Sequence, residues 1–162
     1  MSVLVASASK HGSTEEIARF IADRLRERGI KADAVPMQEV SDLSGVEAVV
    51  LGSAIYLGSW MKEALEFVDR DLSTLRSIPV WLFSVGPLGT EIQDEEEQPK
   101  QLGELREKLR PRDHRVFFGA LDRDKLGFGE RMMVKAVKAP EGDFRNWDEI
   151  RAWADGIATE LA

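Results

Sequence analysis

Short, nearly continuous apolar runs alternate with longer amphipathic stretches along this chain. Residues 2–6, 48–53 and 79–85 are compact hydrophobic runs, and 31–35 and 115–120 are two further strand candidates. Continuous runs of this kind suit parallel strands covered on both faces. Between them the period lengthens. In 14–28 the apolar residues Ile17, Ala18, Ile21, Ala22 and Leu25 recur at helical spacing, and Gly29 follows. Three more helices are read over 61–70 (Ala64, Leu65, Phe67, Val68), 99–109 (Leu102, Leu105, Leu109) and 147–161 (Ile150, Trp153, Ala154, Ile157, Leu161). Five strands alternating with helices predict an α/β three-layer sandwich with right-handed crossovers. The length of 162 residues fits a single domain, 1–162.

Composition narrows the chemistry. Cysteine is absent, which excludes disulfides, thiolate metal ligation and cysteine nucleophiles. Redox chemistry would therefore come from a bound cofactor. The formal net charge of -7 argues against nonspecific nucleic-acid binding. No basic-then-apolar leader is evident, and no run approaches the roughly 18 apolar residues of a spanning helix. The expected location is cytoplasmic. No set of acidic or histidine residues has convincing metal-ligand spacing, so no metal site is expected.

The candidate chemistry lies in three loops that follow strands. In an open parallel sheet, ligands gather beyond the carboxyl ends of the strands, where strand order reverses. The first loop holds Ser9, Lys10, His11, Gly12, Ser13 and Thr14. Hydroxyls, a glycine and a basic side chain at a helix N-terminus suit a phosphate. An ordinary N-cap is the other reading. The second loop reads Ala54, Ile55, Tyr56, Leu57, Gly58, Ser59, Trp60. Its apolar and aromatic residues would hold a flat ring beside the phosphate, or Tyr56 and Trp60 fold back onto the core. The third loop reads Ser84, Val85, Gly86, Pro87, Leu88, Gly89, Thr90. Its glycines admit close backbone approach, or simply make a turn. Together the loops favour a nucleotide with one phosphate, because neither the dinucleotide nor the triphosphate glycine pattern is present.

The first loop resembles the flavodoxin-like Ser/Thr-x-Thr-Gly-x-Thr phosphate pattern at Ser9, Gly12 and Thr14. His11 stands in place of the usual second hydroxyl. The resemblance implies a flavodoxin-like sandwich, a five-stranded parallel sheet in the order 2-1-3-4-5, and FMN as cofactor. The first loop would grip the FMN phosphate and the other two would flank the isoalloxazine ring. Catalysis would belong to the flavin, with no catalytic side chain assigned. A closer resemblance is to the menaquinone-dependent protoporphyrinogen oxidases. It rests on residues 3–12, on Gly52 to Gly58, on Phe117-Phe118-Gly119-Ala120-Leu121 before a basic, methionine-bearing stretch, and on Trp147-Asp148. It implies transfer of reducing equivalents from an organic donor to a quinone or other acceptor. A flavodoxin-type electron carrier that docks a redox partner is the first alternative, and a binding or regulatory module that has lost FMN, suggested by His11 in the phosphate loop, is a third class. Two features depart from the oxidase pattern. A short acidic stretch with Glu91, Asp94, Glu95, Glu96 and Glu97 replaces a long basic insertion, and Tyr56-Leu57 replaces a basic residue and an aromatic. The acidic rim would repel propionates; it serves solubility or docks a basic partner.

Residues 121–146 make a long connection. Within it Arg131, Lys135 and Lys138 share one side at helical spacing, with Met132, Met133, Ala136 and Val137 mostly on another. Such a helix would touch an anionic membrane surface at its inner face, cover a substrate mouth, or cap the sheet edge with its lysines in water. His11 is expected to serve hydrogen bonding or charge compensation, with general-base work as the lesser alternative. His114 is expected at the surface, on the end away from the ligand loops. Asp122 and Asp124 would line the pocket or lie in a solvated loop.

Overall fold

A computed structural model describes residues 2–9, 12–56, 59–86, 101–118, 120–121, 142–143 and 145–162. Five parallel strands form the central sheet: β1 (Ser2–Ala8), β2 (Lys31–Pro36), β3 (Ala48–Tyr56), β4 (Val80–Gly86) and β5 (Asp113–Phe118). Their order is β2-β1-β3-β4-β5. The alternation of elements predicts the three-layer α/β sandwich, and the order is the flavodoxin-like one that the resemblance implies. Five α-helices are described: α1 (Ser13–Glu27), α2 (Lys62–Arg70), α3 (Leu72–Leu75), α4 (Leu102–Leu109) and α5 (Trp147–Leu161).

Side chains alternate across each strand, so one strand feeds two cores. Val3, Val5, Val50, Trp81 and Phe83 pack under α1 and α5 with Ile17, Ile21, Ile150 and Trp153. Leu4, Ala6, Val49, Leu51 and Leu82 pack under the other helices with Phe67, Val68, Leu75, Leu105 and Leu109. Both faces being buried is why these strands read as unbroken apolar runs. Packing through the middle is tight: a Cβ built on Gly52 would lie 2.0 Å from Phe83 Cζ, so β3 needs a glycine there.

Several boundaries differ from the expected ones, and pairing explains two of them. β3 runs to Tyr56 rather than stopping at Ser53, because Ile55 and Tyr56 pair antiparallel with a short return strand, Ser59–Trp60. β5 begins at Asp113, where Asp113 and His114 pair with Trp81 and Leu82. That places His114 inside the sheet. The helix expected over 61–70 starts at Lys62, with Met61 as its N-cap, and α3 follows it. The helix expected from residue 99 is described from Leu102. Short strands Ala120–Leu121 and Gly142–Asp143 pair with each other. The basic stretch from Arg131 to Lys138, the acidic stretch 91–97 and both Asp122 and Asp124 lie outside the described residues. No described helix is long and apolar enough to cross a membrane.

Candidate functional site

Because the central strands are parallel, their carboxyl ends share one edge of the sheet. Strand order reverses between β1 and β3, so the loops after these strands flank the crevice. The register shows how the loops are levelled. Ala8 of β1 pairs with Ser53, Ser53 with Ser84, and Ser84 with Val116, making one row just below the strand ends.

The loop after β1 folds into a turn ahead of α1. Gly12 is the helix N-cap at φ 91°, the left-handed conformation that glycine adopts without strain. Its amide donates to Ser9 Oγ at 2.8 Å. Among the described residues no side chain caps the helix, which leaves the amides of its first turn with donor capacity. Thr14, in that first turn, is fully buried, and its Oγ1 has no hydrogen-bond partner among the described residues. A buried hydroxyl without a partner costs about 1–3 kcal/mol. Placed in a helix first turn beside an uncapped amide cluster, it suits an anion that accepts from both. Ser13 opens α1 and is half-buried. Lys10 and His11 lie outside the described residues.

Near the same end of α1, Arg145 pairs with Glu16 and stacks on the Trp147 ring, 4.7 Å from its centroid. Its side chain is only 11% exposed. The pairing brings a cation to the acidic first turn of α1. Sequence reasoning missed it, since the partners are 129 positions apart and no local pattern links them.

The loop after β3 is a hairpin. Ala54 is half-buried, Ile55 is buried, and Tyr56 continues the strand backbone. Leu57 and Gly58, at the tip, lie outside the described residues. Trp60 does not present its ring at the loop surface. It is 2% exposed and packs in the core with Ala8, Leu51 and Leu105. Its Nε1 donates to Ser84 Oγ at 2.7 Å. The return strand has other fastenings: Met61 N donates to Ser53 Oγ at 2.9 Å, and Trp60 N to Gln101 Oε1 at 3.2 Å.

The loop after β4 begins deeper than its composition suggested. Ser84 and Val85 lie within β4, as the apolar run 79–85 predicts, and both are buried there rather than open to a ligand. The Ser84 hydroxyl already accepts from Trp60 and bonds His114 Nε2 at 2.8 Å. It therefore has no free donor for a cofactor. Gly86 ends the strand, half-buried; Pro87, Leu88 and Gly89 lie outside the described residues.

His114 is the second correction in this region. It is not a surface residue. Burial lowers its pKa to about 4, helped by the Arg106 charge and opposed by Asp113. The imidazole is neutral near pH 7, so Nε2 can accept the Ser84 proton while Ser84 Oγ accepts from Trp60. That arrangement satisfies all three groups.

Two grooves lie away from the strand carboxyl ends or beside them. One, of about 370 Å³, sits at the amino ends of β4 and β5 under α5, over Trp81, Trp153 and Gly156. Its polar atoms largely satisfy one another. Trp81 Nε1 donates to Glu160 at 3.1 Å, and Trp153 Nε1 and Arg115 Nε both donate to Asp113 Oδ2 at 2.9 Å. Burial raises the Asp113 pKa, but those bonds outweigh it and hold the carboxyl below its usual range. The other groove, of about 280 Å³, lies between Met37 and Phe67. No group of three or more possible metal ligands occurs among the described residues.

Residues 4–148 match the family model of the flavodoxin domain. Over 172 aligned positions the chain is 24% identical to the protoporphyrinogen IX dehydrogenase [quinone] of Escherichia coli strain K12, covering 98% of this chain and 95% of that protein. A flavodoxin from the domain Archaea superposes with a TM-score of 0.63 at 17% identity, over 99% of both chains. Oxidised flavodoxin 1 from Bacillus cereus gives 0.62 at 14% identity over 100% of both. Rubredoxin oxygen:oxidoreductase from Desulfovibrio gigas gives 0.65 at 15% identity, over 99% of this chain and 36% of that one.

Proposed function

The chain belongs to the flavodoxin domain family, and on that premise we propose that it binds FMN at the strand carboxyl ends and carries electrons to a docked redox partner. The observation that carries this reading is the buried, unpartnered Thr14 hydroxyl in the uncapped first turn of α1. An FMN phosphate would supply the acceptor that Thr14 and the neighbouring amides lack. Ser9 shapes the turn by holding the Gly12 amide. In this reading Lys10, His11 and Ser13 would add a charge and donors to the same anion. Ala54, Ile55, Tyr56, Leu57 and Gly58 on one side, and Gly86, Pro87, Leu88 and Gly89 on the other, would flank the ring. Bound FMN supplies electron or hydride transfer that none of the side chains provides. The chain's contribution is to bind and orient the ring and to limit water around it. The acidic stretch 91–97 and the net charge of -7 favour a basic partner surface.

Purification tests this directly. Yellow protein carrying one FMN per chain, or apoprotein that takes up one equivalent of added FMN, is the expected result. Colourless protein that binds no added FMN overturns the proposal.

A second reading follows from one comparison, the alignment with the E. coli dehydrogenase across nearly both full chains. In it the flavin oxidises a porphyrinogen-type donor and passes the electrons to a quinone. Stopped-flow mixing of the flavoprotein with protoporphyrinogen, and then with a menaquinone analogue, separates the two readings. Flavin reduction by the first and reoxidation by the second supports the dehydrogenase. Absence of the first step leaves the carrier.

A further inference from the structure

A hydrogen-bonded line, buried at Trp60 and Ser84 and half-buried at His114, runs beneath the second and third loops, from the hairpin return strand into β4 and on to edge strand β5. Trp60 Nε1 donates to Ser84 Oγ at 2.7 Å, and Ser84 Oγ meets His114 Nε2 at 2.8 Å. Trp60 and Ser84 are 2% and 0% exposed, so the bond between them is not replaced by water if it breaks; His114, at the far end, is half-buried. Trp60 is also the residue that pairs with Ile55 to close the hairpin. Gln101, at the start of α4, bonds the same return strand from outside, through Trp60 N and Ser59 Oγ.

We infer that Ser84 and His114 are positioning residues: through Trp60 they fix the Ile55–Trp60 hairpin, and so set the side of the pocket against which the isoalloxazine ring lies. This rests on the FMN reading above for the identity of the ring, but not for the hairpin's anchorage. The hydroxyl suits the middle place because serine both accepts and donates at one atom. Histidine suits the end because its imidazole, kept neutral by burial, offers an acceptor where a cation would not. Alanine in place of Ser84 removes the acceptor, leaves the Trp60 N–H buried and unpaired, and frees the return strand to shift.

The test uses the full chain, without and with FMN. In Ser84→Ala, hydrogen exchange across 55–60 should quicken while that of α1 and β1 stays near wild type. FMN affinity should fall about tenfold, and the midpoint potential and visible circular dichroism of the bound flavin should change. His114→Gln keeps an acceptor for Ser84 and should stay near wild type, whereas His114→Leu should behave as Ser84→Ala. If Ser84→Ala does not fold, Trp60→Phe keeps the buried ring, deletes the N–H and takes its place in every measurement. Unchanged hairpin exchange, or equal loosening of the whole sheet, overturns the anchoring role. Quickened hairpin exchange with unaltered affinity, potential and spectrum overturns its link to the cofactor. Wild-type protein that takes up no FMN overturns the FMN reading and that link, while the exchange data still decide the anchorage.

Discussion

At the scale of single residues, two positions make opposite demands. Thr14 holds a polar atom to which the described residues give no partner, and Gly52 holds no atom where the protein has no room. Thr14→Val keeps shape and removes the orphaned hydroxyl. Thermal melting of the apoprotein should be unchanged or slightly higher, while FMN affinity, followed by flavin fluorescence quenching, should drop about tenfold. A loss of fold stability without a loss of affinity would place the phosphate elsewhere. Gly52→Ala should do the reverse. Its methyl group would push against the fully buried Phe83 ring, and urea unfolding should show a loss of about 3 kcal/mol. Thr14 was legible in the sequence as a hydroxyl in a helix-initiating loop. The burial that makes it informative was not, because burial depends on what packs over the loop.

At the scale of elements, the helices show what periodicity records. The apolar stripe of α1 appears in the sequence with every core position in place, from Ile17 to Leu25. What the stripe faces does not appear. α1 packs beside α5, and Arg24 joins them through Asp155, with bonds of 2.6 Å and 3.2 Å to its two oxygens; Arg28 adds a third contact at 3.3 Å. The Arg24 bond, opposed by desolvation, holds the Asp155 carboxyl below its usual range. Asp155→Asn should therefore loosen α5 relative to the sheet, read as faster amide exchange in 147–161, and high salt should mimic part of the effect in the parent protein. The hairpin after β3 teaches the same lesson from the other side. Ile55 and Tyr56 looked like loop because they follow the serine of a compact strand. Pairing with Ser59 and Trp60 extends the strand instead.

At the scale of the whole molecule, burial of one imidazole links the fold to pH. His114 has its pKa near 4 in the folded protein against 6.5 for a free imidazole. Between those values the unfolded chain binds a proton that the folded protein refuses. Stability therefore falls as pH drops through that window and levels off below it, with a total loss of about 3 kcal/mol. Asp42 and Asp155, both held below the ordinary carboxylate range, add a second loss at lower pH as they protonate. Urea midpoints measured across the upper window should decline in the wild type and stay nearly level in His114→Gln. A flat wild-type profile there would mean that His114 titrates normally. While the strand order came only as what the family resemblance implies, the sequence by itself determined the α/β class, both faces of the sheet and the loop that starts α1. These are written in local periods and in a contiguous motif, where neighbours in the chain are neighbours in space. Only the tertiary structure decided that Trp60 turns inward, that Ser84 serves Trp60 and His114, and that Arg145 meets Glu16. These partners lie 24, 30 and 129 positions apart. Strand register and helix docking choose them, and no periodicity in one segment carries the address of a residue in another.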